Sequence, residues 1–301
     1  MTSTTDAVAA VGAGGAVVAG AGRGASRWAN LRSVLGVAVR SPTFDIGVLI
    51  LGFWVFTAIF WRVFAPYDPL VQGPAILGHP SGADLLGTDS LGRDVLSRVL
   101  AGASSVLSVA PIATVIGVVG GIIVGLVSGY YRRATDMILM RLVDTVLALP
   151  SLIVATLVLG VLGASDLAVI VVIGAVFTPI VARTVRSAVL SERDKEYVAA
   201  AKMRGESGLY IMGAEILPNI TAPIIVEATV RLGYAIFIIA TLSYLGLGIQ
   251  PPSPDWGLTI SQERVYVGVQ PWVILGPAIA LATLVVSVTL VADGLRKAIE
   301  S

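Results

Sequence analysis

Six apolar stretches, each close to or above the roughly 20 residues that a helix needs to cross a ~30 Å hydrocarbon core, decide what this chain can fold into. They run over about 46–64, 103–130, 137–162, 167–190, 222–247 and 272–292. Of 301 residues, 56% are hydrophobic and only 13% charged, with mean hydropathy +0.90. A soluble domain carries about a quarter charged residues. The expectation is an all-α membrane protein with six transmembrane helices and no room for a separate soluble domain. Gly and Pro inside the stretches, such as Pro111, Gly120, Gly121 and Pro179, are tolerated by membrane helices and let neighbours approach closely.

Several function classes drop out. The net charge of +1 does not suit nucleic acid. With no cysteine and a single histidine, His79, there is no thiol nucleophile and no Cys- or His-cluster metal site. No G-x-x-x-x-G-K-[ST] occurs, so the chain does not bind ATP in the P-loop manner, and no H-E-x-x-H occurs. Residues 1–45 read as a disordered cytoplasmic tail. Ala7–Gly22 is only weakly apolar, and the preceding "MTSTTD" lacks the positive charge of a signal peptide.

The basic residues set the orientation. Arg23, Arg27, Arg32, Arg40, Arg132, Arg133, Arg141, Arg183, Arg186, Arg193, Lys195, Lys202, Arg204, Arg296 and Lys297 fall to one side of the six spans. Arg62, Arg93, Arg98 and Arg264 fall to the other. The positive-inside rule then predicts both termini, and the segment 191–218, in the cytoplasm.

That segment reads "SERDKEYVAAAKMRGESGLYIMGAEILP". Its alanines suit a helix, with Ser191 as N-cap and acidic residues in the first turn. Tyr197, Ala200, Ala201 and Arg204 fall on one face. Gly205 permits a turn, Ser207 starts a second short helix, and Pro218 ends it. By periodicity alone, helix–glycine–helix also describes an amphipathic element lying on lipid.

The pattern resembles the EAA motif of importer-type ABC transporter permeases, with Ala199, Ala200, Ala201, Gly205, Leu217 and Pro218 at its positions. Ala199 stands where the motif has Glu, and Glu215 where it has Ile. Four further stretches resemble the C-type permease of dipeptide and oligopeptide importers, in the peptide/nickel family. These are "HPSGADLLGTDSLGRDVLSRVLAGASSVLSV" from His79, "RATDMILMRLVDTVLALPSL" from Arg133, and "LSYLGLGIQPPSPDWG" from Leu242 with the closing "DGLRKA". The resemblance begins near Ser41. It implies the type I ABC importer permease fold in a bacterial cytoplasmic membrane. It also implies a non-catalytic subunit forming half of a translocation pathway, coupled through 191–218 to ATPase subunits. The implied partners are a homologous second permease, two ATPases and an extracytoplasmic substrate-binding protein. ATP and magnesium then sit on the ATPases, and this chain carries no cofactor. The implied cargo is a di- or oligopeptide, with nickel chelates and haem as alternatives within the family.

Other charged groups leave alternatives open. Asp89, Arg93 and Asp94 either pair locally beside an interfacial helix capped by Thr88, Asp89 or Ser90, or touch the binding protein. Asp255 and Trp256, in a proline-rich external loop, either touch that protein or, for Trp256, anchor at the interface. Asp136, Arg141 and Asp144 form a cluster in which Arg141 serves either carboxylate, as a structural ion pair near the ATPase interface or, ranked below it, a proton relay. Glu227 and Arg231, four apart in the fifth stretch, share a helix face in the favourable order and either line the pathway or clasp a partner helix. An ion-driven secondary transporter and an intramembrane enzyme rank below the importer. Most acids lie at span ends, and nothing brings Asp144 and Glu227 together.

Overall fold

A computed structural model describes residues 41–300. Most of the expected tail, with Arg23, Arg27, Arg32 and Arg40, lies outside the described residues. The described residues are helical, with ten α-helices joined by turns. These are α1 Pro42–Phe64, α2 Val95–Tyr131, α3 Arg133–Leu147, α4 Ser151–Leu162, α5 Asp166–Glu192, α6 Glu196–Met203, α7 Gly208–Tyr210, α8 Thr221–Tyr244, α9 Trp256–Glu263 and α10 Trp272–Glu300. A π turn, Ile211–Ile216, and a 3-10 turn, Leu217–Asn219, link α7 to α8.

Five of these (α1, α2, α5, α8 and α10) are long and apolar enough to cross a membrane. The third expected span is not one helix. It breaks between Leu147 and Ser151, and its halves are bent by 83°. Pro150 is the cause: it lacks an N–H and bars Leu149 from helical geometry. Counting the bent pair as one span gives six. Helix α1 begins at Pro42, whose fixed φ suits a first helical position, so 42–45 belong to the helix rather than the tail.

Helix α2, at 37 residues and about 55 Å, is the longest element. It begins eight residues earlier than expected, because Asp94 caps it by accepting from the Ser97 backbone N–H at 2.7 Å. The expected caps Thr88, Asp89 and Ser90 lie outside the helix, and Leu91 is exposed. Helices α2 and α5 make the most extensive pairing in the molecule. Gly117, Gly121, Gly125 and Gly129 recur every four residues on α2. They face Phe177, Val181, Val185 and Val189, which recur likewise on α5. A Cβ at any of the four glycines would fall under 3.0 Å from the facing side chain. The two helices therefore meet backbone to side chain along their length.

Two cores flank this pairing. The larger joins α1, α2, α4, α5, α8, α9 and α10 around Trp54, Phe177, Ile236 and Trp256. The smaller joins the α6–α8 junction to the last turns of α2 and α5. The outward faces of α1 and α4 are apolar and exposed, as at Leu49, Ile59, Leu157 and Val161, which suits lipid contact.

Candidate functional site

The α6–α8 junction is built on the ends of the long helices. Helix α5 runs through Ser191, whose hydroxyl donates to the Ala188 carbonyl, so Ser191 is not the expected N-cap. The new helix starts at Glu196 after Lys195, without a side-chain cap. Val198 and Ala201 are fully buried against Ile211, Met212 and Ile216. Ala201 thus packs inward and has no surface for a partner. Tyr197 is part-buried, and its hydroxyl donates to Glu192 at 2.8 Å. Burial and that carboxylate both raise the phenol pKa. Arg204 is exposed and pairs with Glu215 at 3.2 Å. Gly205 has φ +78 with open space around it, so its requirement is conformational rather than steric. Ser207 starts α7 as expected, accepting from the Tyr210 N–H.

The expected face runs through Tyr197, Ala200, Ala201 and Arg204. The outward surface instead carries exposed Ala199, Met203 at 83% and, past the turn, Leu209 at 76% exposure. Leu217 and Pro218 are half-buried in the turn that leads into α8. Met203 and Leu209 lie on either side of Gly205, and their exposure follows from which faces of the module pack inward. The module is tied to the long helices by Arg193, whose guanidinium donates to the carbonyls of Gly129 and Tyr130. Lys202 lies 5.7 Å from the Tyr130 ring centre.

Asp136 and Asp144 find partners other than Arg141. Arg186 of α5 binds Asp136 through two nitrogens at 2.6 Å each, and Arg183 pairs with Asp144. Asp136 and Arg141 are five apart and so point to different sides of α3, while Arg183 and Arg186 arrive from the neighbouring helix. Next to Arg183, a cavity of about 580 Å³ is lined by Thr184, Ser187, Ala188 and Ser191 of α5 and Pro223 of α8.

Glu227 and Arg231 do pair, at 2.8 Å, with 16% and 15% of their side chains exposed. The Arg231 guanidinium lies 4.9 Å from the Tyr234 ring centre and 5.9 Å from that of Phe177 on α5.

At the opposite end of α2, the residues expected to touch a binding protein are inside. Asp89, Arg93, Asp94, Asp255 and Trp256 are all buried. Asp89 binds Arg93 at 2.6 Å and lies 3.4 Å from Arg98, and Glu263 of α9 accepts from Ser90. Trp256 is fully buried, so it is no interfacial anchor either. Its indole donates to the Val99 carbonyl at 2.9 Å and meets Trp54 edge-on. Asp255 caps α9 by accepting from the Leu258 N–H, and burial pushes its carboxyl up to about 6. Arg98 and Glu263, absent from the expected set, complete the buried charges. Their partners are far away in sequence, so no local pattern marks them.

The comparisons with known proteins agree with this architecture. Residues 121–301 match the family model "Binding-protein-dependent transport system inner membrane component". The chain is 38% identical to the di/tripeptide transport system permease protein DppC of Pseudomonas aeruginosa, over 84% of this chain and 86% of that protein. It is 37% identical to the dipeptide transport system permease protein DppC of Alkalihalophilus pseudofirmus, over 85% and 84%. It is 34% identical to the glutathione transport system permease protein GsiD of Pectobacterium atrosepticum, over 88% and 86%. The matched family and the apolar helices together make this chain a multi-pass inner-membrane protein that belongs to the binding-protein-dependent transport permeases, the membrane component of peptide ABC importers.

Proposed function

We propose that this chain forms half of the translocation pathway of an ATP-driven importer for di- or oligopeptides, and that α6 and α7 are its coupling helices. The observation that carries the reading is the helix–Gly205–helix module. Its inner face packs onto α2 and α5, while Met203 and Leu209 stand exposed on either side of the Gly205 turn, which forms its tip. An ATPase groove closing on that tip moves the module, and the glycine-seated α2–α5 pair transmits the motion along about 55 Å of helix. Both termini and the module face the cytoplasm, in keeping with the basic residues. ATP and magnesium act on two partner ATPases, the second half of the pathway is a homologous permease, and an extracytoplasmic binding protein delivers the cargo. The peptide cargo is supported by the names of the relatives.

The test is affinity purification of the tagged chain in mild detergent, with its companions identified. An ATPase and a second, different permease are expected. Recovery of the chain alone or only with itself, under conditions that preserve complexes, would reject the reading.

A further inference from the structure

We infer that Glu227 and Arg231 form a station inside the pathway that meets the two terminal charges of a passing short peptide, with Tyr234 as its cover; this rests on the importer reading above. Arg231 is the eleventh of the 24 residues of α8, roughly 15 Å along it, and so sits near the middle of a ~30 Å core. An ionised pair at that depth is costly against lipid, so its open side faces protein or water. The same side of α8 continues through Tyr234, which is exposed. Toward the other end of α8 it reaches Pro223, one turn before Glu227. There it borders the cavity edged by Thr184, Ser187 and Ser191. The charge pair thus lies between exposed Tyr234 on one side and the cavity beside Pro223 on the other.

The pair is incomplete as it stands. Glu227 Oε1 and Arg231 Nε lie 2.8 Å apart, yet both are buried without a hydrogen-bond partner, because the N–H is not aimed at the oxygen. A zwitterion reaches the remaining atoms of the pair: its carboxylate accepts from the other guanidinium nitrogens, and its ammonium donates to the other Glu227 oxygen. Apart from Arg183, the side chains that wall the cavity beside Pro223 are small, which leaves room for passengers whose ends are constant and whose side chains vary. Tyr234, stacked on the guanidinium and 53% exposed, shields the pair when no passenger is present.

The experiment uses the whole importer, with both permeases, the ATPases and the binding protein, in proteoliposomes with radiolabelled alanyl-alanine. The paired variant E227M/R231M removes both charges and leaves no orphan ion. We expect an assembled complex whose binding-protein-stimulated ATP hydrolysis stays within about twofold of wild type. Its uptake should fall about tenfold or more, as expected when hydrogen bonds to charged groups are lost. Uptake retained within about twofold would overturn the inference. So would failure of the variant to assemble, which would make the pair a clasp between helices. As a second measurement on the unaltered complex, alanyl-p-azidophenylalanine is photolysed during turnover. Label on α8 between Glu227 and Phe237 is expected, and label confined elsewhere would overturn the station while leaving the importer reading intact. Absence of any peptide uptake by the wild-type complex would reject the importer reading, and the station with it.

Discussion

Arg193 Nη1 lies 2.7 Å from the Tyr130 carbonyl oxygen and donates to it, so the segment entering α6 is fastened to the last turn of α2. The same nitrogen serves the Gly129 carbonyl. Carbonyls at a helix C-terminus lack intrahelical donors and carry partial negative charge, so a guanidinium suits them twice over. Arg193→Met keeps the aliphatic stem and removes the donors. We expect a loss of about 1–3 kcal/mol in stability and weaker binding-protein-stimulated ATP hydrolysis. Thermal unfolding in detergent and the ATPase assay on the assembled complex check this, and unchanged values in both would remove Arg193 from the coupling route.

Gly205 carries φ +78 and has open space where a side chain would project, so substitutions there report backbone strain rather than collision. Gly205→Ala should weaken the module by about 1 kcal/mol, and Gly205→Asn by less, since Asn tolerates the left-handed region. Gly205→Glu adds charge at the tip and should block coupling while membrane insertion is kept. Wild-type stimulated ATP turnover by the Glu variant would contradict the coupling role.

Gly121 faces Val181 too closely for any side chain. Gly121→Val should cost about 1–3 kcal/mol or more through overpacking and lower the yield of folded protein. Val181→Gly on the facing helix should recover part of the loss, giving a coupling energy in a double-mutant cycle. Additive effects would show that α2 and α5 adjust independently and are not one body.

Asp255 is buried, and its carboxyl titrates at about 6, above the ordinary value of about 3.9. The folded state therefore holds its proton more tightly than the unfolded state. Stability from this group is full below about pH 4, falls as pH rises toward 6, and is level above, a change of about 2–3 kcal/mol. Asp255→Asn keeps an oxygen to cap α9 and removes the charge, so it should flatten that slope and be at least as stable at pH 7. Asp255→Ala loses the cap as well and should cost about 1 kcal/mol relative to Asn. An Asn variant with an unchanged pH slope would assign the titration to another group.

Much of this protein is fixed by one-dimensional information. Apolar run length determines which helices are long enough to cross a membrane. The Glu227–Arg231 spacing determines that pair, and Gly205 and Ser207 determine the break and restart of the α6–α7 module. These depend on helical period and backbone freedom, which neighbours in sequence control. The tertiary structure decided the rest. Pro150 bends the third span by 83°, and only then does α5 bring Arg186 and Arg183 to the carboxylates expected to serve Arg141. Asp255 and Trp256 look like loop residues in the sequence. They are core residues because α1 and α2 supply Trp54 and the Val99 carbonyl from far along the chain. Burial and charge pairing between distant segments arise from packing, which joins residues that local order does not connect.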